Sequence, residues 1–134
     1  MVGYSTALEG ESGEELTALY LENAFKDVSE LEQLQTDVAS DPGRWDDCRE
    51  RMRNIVHNIK GQGSSFGYPL MTRVGESCSK LLKAIEQPEA ATLKLFAAHV
   101  QTLRTVLDKD IKGNGGELGE TLAGRLEALV AKLT

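Results

Sequence analysis

The sequence predicts an all-α fold: an antiparallel up-down-up-down four-helix bundle with an additional C-terminal helix. The 134 residues hold three prolines and seven aromatic side chains against many Leu, Ala, Glu, Lys and Arg, which favours helix over a β-sandwich or barrel. Apolar residues recur at three- and four-residue steps in five segments, and no stretch alternates as a strand would. The breaks between segments are short, which makes successive helices antiparallel neighbours.

The segments follow in order. Residues 1–13 are polar and Gly-rich and are expected to form a mobile tail. Residues 14–134 form one helical domain, with its core over about 14–112 and an extra helix over about 117–133. From Glu14 to Ala39 the apolar positions are Leu16, Leu19, Tyr20, Ala24, Val28, Leu31, Leu34 and Val38, one stripe of an amphipathic helix. Ser12 and Glu15 fit a capping box at its start. Asp41 and Pro42 then suit the N-cap and first position of a second helix, which runs from Arg44 towards Ser65. Gly67 tolerates a left-handed cap and Pro69 can open the third helix, Leu70 to Glu86. Gln87-Pro88-Glu89 breaks that helix. A fourth spans Ala90 to Ile111, and Gly113-Asn114-Gly115-Gly116 reads as a flexible joint. The last helix, Leu118 to Leu133, carries a stripe of Leu122, Leu126, Leu129, Val130 and Leu133, expected to cap the bundle or to form a dimer contact.

Composition excludes several functions. A net charge of −6 is wrong for a general nucleic-acid binder. No apolar run approaches the ~20 residues that span a bilayer, and the last helix has a mixed polar face rather than a basic one, so no membrane partner is expected. MVGYSTALEGESGEE shows no secretory signal, and Cys48 and Cys78 make no disulfide framework, so a cytoplasmic location is expected. Two histidines and two separated cysteines lack zinc spacing. The charge is uneven, however. Between Arg44 and Lys83 eight basic residues meet four acidic ones, a net +4, which leaves −10 for the rest. A basic middle on an acidic chain suggests a surface that meets something negative.

On a helical wheel, Trp45, Cys48, Met52, Ile55, Val56, Ile59, Gly63 and Phe66 gather on one side of the second helix, the side for the core. Glu50, Arg53, Asn54, His57, Lys60, Gly61 and Ser64 lie opposite, with His57 at the centre. A neutral imidazole has a nitrogen lone pair that can act as a nucleophile. Lys60 is one turn away on the same face, and Arg53 one turn before, so both can steady a negative group on the ring. Gly61 is a costly residue inside a helix, and its missing side chain can let another surface approach the imidazole. Gly63 instead suits tight helix contact.

His57-Asn58-Ile59-Lys60-Gly61, with Phe66-Gly67 following, resembles the signature of histidine-containing phosphotransfer domains: H-x-x-K-G, five arbitrary residues, then G. Leu21-Glu22-Asn23-Ala24-Phe25 and Trp45 at the head of the His helix are similar too, so the resemblance covers about residues 14–111. It implies a stand-alone bacterial-type phosphorelay protein that takes a phosphoryl group from one receiver aspartate and passes it to another. By that resemblance His57 is the phosphoacceptor through Nε2, Lys60 the phosphate-stabilising lysine, Gly61 the small residue that clears space and Gly67 the turn glycine. Many members place a Gln on the next helix to orient the imidazole; Ser79 stands at that offset.

The implied partners are response-regulator receiver domains and an upstream hybrid histidine kinase. The chain itself is expected to bind no cofactor, the Mg²⁺ belonging to the receiver, and to be a monomer. No Walker-type loop is present, so it is a phosphocarrier rather than a kinase. The alternative is a phosphotransfer-incompetent binding module of the same shape that docks a kinase or receiver. Leu21 and Phe25 fall off the core stripe and either serve docking or pack under the C-terminal helix. His99 is expected to be a partly buried structural histidine, Trp45 a core plug, and both cysteines small buried hydrophobes.

Overall fold

The computed structural model describes residues 12–133, and among them every regular element is helical. The helices are α1 (Ser12–Ser40), α2 (Trp45–Gln62), α3 (Pro69–Ala84), α4 (Ala90–Asp108) and α5 (Gly116–Ala131), with 3₁₀ turns at Pro42–Arg44 and Ser64–Phe66. Of the tail expected over residues 1–13, residues 1–11 lie outside the described residues, as does a cap through the Ser12 side chain. Ser12 and Gly13 already belong to α1, two residues earlier than the periodicity indicated.

Contacts run α1–α2, α2–α3, α3–α4 and α4–α1, with α5 against α3 and α4. Between them lies one apolar core that includes Val28, Leu31, Met52, Ile55, Leu82 and Leu103. Trp45, Cys48 and Cys78 are buried in it. Burial pushes the Cys78 thiol up to about 12, so it stays an uncharged thiol.

Local chemistry sets the boundaries. Asp41 Oδ1 accepts from the Gly43 N–H at 3.1 Å and Pro42 opens the turn, but they start a 3₁₀ turn that hands over to α2 at Trp45. Gly63 ends α2 where a Cβ would lie 2.8 Å from Met71 Cβ and from the Tyr68 carbonyl, so only glycine fits. Gly67 adopts φ +89°, the left-handed conformation expected of it, and Pro69 begins α3.

Three expectations need correction. The joint at 113–116 is a packed turn rather than a loose hinge. The Gly113 N–H donates to the Gly67 carbonyl at 3.1 Å, Asn114 Oδ1 accepts from the Gly116 N–H, and a Cβ on Gly115 would meet Leu70 at 2.7 Å. The buried face of α5 is Gly119, Ala123, Leu126 and Val130, while Leu129 and Leu133 stay about half exposed. Small residues let this helix approach α3, and Arg73 fastens it by bonding Glu120 and Glu127, two turns apart along one edge of that face. Leu16 and Leu19 are exposed as well. At 29 residues α1 is about 43 Å long, against 16–19 residues for the others, and its first turns outrun the neighbours that would cover them.

No described helix is long and apolar enough to cross a membrane.

Candidate functional site: a cationic cleft around His57

The core residues of α2 determine where His57 points. Cys48, Met52, Ile55, Val56 and Ile59 are all buried, and a rigid helix then turns residue 57 outwards. His57 is exposed, and no side chain bonds its ring among the described residues.

Two bonds register α2 against α3. The Trp45 indole N–H donates to the Glu86 carbonyl at 3.2 Å, and Arg49 Nε donates to the Leu82 carbonyl at 2.9 Å. Arg49 thus satisfies carbonyls at the C-terminal end of α3, where a cation is favoured. At the opposite end of α2, Lys60 meets Gly75 and Glu76, so these two helices run in opposite directions. This register brings α3 side chains beside the His57 face.

The result is a shallow cleft of about 250 Å³ lined by Glu50, Arg53, Asn54, His57, Lys60, Ser79 and Lys83. Four residues singled out from sequence, Arg53, His57, Lys60 and Ser79, therefore share one concavity. Ser79 lines the wall without bonding the imidazole. Gly61 is exposed next to it, and a Cβ there would touch nothing within 4 Å. No packing among the described residues explains a glycine at that position.

Lys83, one turn beyond Ser79 on α3, reaches the cleft through the same α2–α3 register. Gly75 was missed, although a glycine inside an apolar helix was a readable signal. A Cβ on Gly75 would stand 2.9 Å from Lys60 Cβ, so this glycine lets α3 close against the root of Lys60. Glu76 takes the other end of the same lysine, its Oε2 lying 3.2 Å from Nζ.

The basic stretch is less available than its sum suggests. Arg44 pairs with Asp37, Arg51 with Glu30, Lys60 with Glu76, and Arg73 with Glu120 and Glu127. Hydrogen bonds donated to Glu30 and to the two α5 glutamates hold Arg51 and Arg73 above the ordinary guanidinium value. Among the described residues Arg49, Arg53, Lys80 and Lys83 form no ion pair; Arg49 is taken up by the α3 carbonyls, while Arg53 and Lys83 line the cleft. The cleft thus keeps two unpaired cations, Arg53 and Lys83, beside the Glu50 carboxylate that also lines it.

Leu21 and Phe25 are half-buried against the core, while the contacts of α5 run to α3 and α4. The Arg104 guanidinium of α4 lies over the Phe25 ring at 5.8 Å, and Leu21 borders a groove with Tyr68 and Leu107.

His99 is more deeply placed than expected, with no exposed surface at all. Its Nδ1 lies 2.7 Å from the Leu95 carbonyl and its Nε2 2.8 Å from Ser77 Oγ. A carbonyl only accepts, so Nδ1 carries the proton and Nε2 accepts from the Ser77 hydroxyl. Burial lowers the His99 pKa, partly offset by the Leu95 bond. Among the described residues no group of three or more His, Cys, Asp or Glu side chains is placed to hold a metal ion.

No family model, curated protein or solved structure matches the chain, so its function has to be read from this cleft.

Proposed function

We propose that the chain is a phosphocarrier of the histidine-containing phosphotransfer type, built as an up-down-up-down four-helix bundle with a fifth helix on its flank. His57 would accept a phosphoryl group from a receiver-domain aspartate and return it to the aspartate of another receiver, in the cytoplasm. The observation that carries this reading is the exposed, unbonded imidazole in a cleft with three cations, Arg53, Lys60 and Lys83.

The chemistry balances without a cofactor on this chain. A neutral imidazole with its proton on Nδ1 attacks phosphorus through the Nε2 lone pair. The P–N bond forms as the P–O bond to the aspartyl carbonyl breaks, and the carboxylate leaves as an anion. Such transfer depends on positioning and charge neutralisation. Arg53, Lys60 and Lys83 supply the neutralisation, and the bare Gly61 leaves room for the donor to come in line. The Mg²⁺ that the reaction uses would sit in the receiver.

One observation favours a second reading, a binding module of the same shape that passes no phosphate on. Among the described residues no side chain hydrogen-bonds the imidazole, and Ser79 lines the cleft wall without bonding the ring.

Incubation with a phosphorylated receiver separates the two. The carrier takes an acid-labile, base-stable label that disappears in His57→Gln. Absence of label on the wild type, or equal label on His57→Gln, rejects phosphotransfer. A binding module would instead keep its partner's function after His57→Ala and lose binding when Arg53 and Lys60 are both changed to Glu.

A further inference from the structure

Lys60 leaves α2 where α3 comes closest. The Gly75 position stands 2.9 Å from Lys60 Cβ and 3.2 Å from its Cα, measured from where a Cβ would be, so the lysine is gripped at its root. Its side chain is only 23% exposed, and its ammonium lies 3.2 Å from Glu76 Oε2. The cation nearest His57 in sequence is thus already held by a carboxylate of the same chain. Arg53 and Lys83, which also line the cleft, have no such partner among the described residues. A phosphoryl group on His57 and the Glu76 carboxylate would compete for the same ammonium N–H donors.

Resting on the phosphocarrier reading above, we propose that Glu76 is a positioning residue acting through Lys60, an internal counter-anion that stands in for the phosphoryl group while His57 is free. It steadies the ammonium at the cleft edge, releases it when the phosphoryl group arrives and takes it back when the group leaves. Breaking the Lys60–Glu76 pair offsets part of the stabilisation that Lys60 lends to phosphohistidine. A ligand shifts an equilibrium only by its differential interaction with the two states, and Glu76 reduces that difference. The phosphoryl group is held loosely enough to move on.

The test needs no identified partner. The full chain is equilibrated with potassium phosphoramidate and ammonium chloride, and the ratio of phosphorylated to free His57 is read by phosphorus NMR. In this exchange the imidazole lone pair forms the new P–N bond while the donor's P–N bond breaks, and the departing amine leaves as ammonia. Glu76→Gln should raise the ratio about two- to five-fold, the upper part of the range of an exposed charge pair. Glu76→Ala should do the same, and Glu76→Asp should stay near wild type. In a Lys60→Gln background Glu76→Gln should shift the ratio by less than about two-fold, because the effect runs through the lysine. A labelled wild type whose ratio does not rise in Glu76→Gln, or rises equally without Lys60, overturns the role of Glu76 and leaves the phosphocarrier standing. A wild type that takes no label on His57 removes both.

Discussion

The two histidines of this chain occupy opposite environments. His57 stands exposed on α2 with neither ring nitrogen bonded to a side chain, facing cations from two helices. His99 is sealed between α3 and α4, one nitrogen giving its proton to the Leu95 carbonyl and the other taking one from Ser77. The same imidazole is a structural bridge where every polar atom has a partner and an available nucleophile where none does. The sequence around them already differs, since His57 shares its helix face with Arg53, Asn54 and Lys60 while His99 lies between Ala98 and Val100. The difference is the helix face each occupies and what the neighbouring helix sets against it.

The contrast predicts unequal responses to the same substitution. His99→Ala removes a buried ring and leaves the Ser77 hydroxyl unpaired, which should destabilise the protein by about 2–4 kcal/mol in urea unfolding. His57→Ala should change stability by no more than about 0.5 kcal/mol, as at other exposed positions. Equal losses would erase the distinction.

The glycines of the site should divide in the same way. Gly75→Ala forces a methyl group into Lys60 and should cost about 1–3 kcal/mol by overpacking, with a displaced Lys60 resonance in NMR. Gly61→Ala meets no atom and should stabilise by about 0.5–1 kcal/mol. If the gap over Gly61 serves an incoming donor, the same variant should still slow labelling of His57. Stabilisation with unchanged labelling would show the gap to be unused.

Acid should act through His99. Its pKa is lowered on folding by burial, so below about pH 6.5 the unfolded chain binds a proton that the folded one refuses. The unfolded state then holds more protons, and stability falls as pH drops, by at most about 1.4 kcal/mol per pH unit for one proton. His99→Gln should flatten that part of the stability profile, measured by urea midpoints between pH 7 and 5. An unchanged slope would assign the acid sensitivity to other groups.

Much of this was legible before any coordinates. The stripe Cys48, Met52, Ile55, Val56, Ile59 identified the buried side of α2 and placed His57, Arg53 and Lys60 on the other. The Asp41-Pro42 and Gly67-Tyr68-Pro69 punctuation bounded the helix, because Pro and a left-handed Gly act through their own backbones. The pattern misled where size and hydrophobicity part company. On α5 the leucines suggested one face, yet Gly119 and Ala123 mark the contact, since small side chains let the helices close. The charge sum over residues 44–83 also misled, because it could not show which arginines would find glutamates on α1 or α5.

The helical periodicity, the breaks and the outward aim of His57 follow from interactions within a few residues along the chain, and the amino-acid order alone is enough to settle them. The approach of Gly75 to Lys60, the Glu76 counter-ion, the arrival of Ser79 and Lys83 at the cleft and the sealing of His99 by Ser77 all join residues on separate helices. Such pairings depend on the register and spacing of packed helices. Those are set by the whole core at once, when large and small side chains from every helix must fill one volume without gaps.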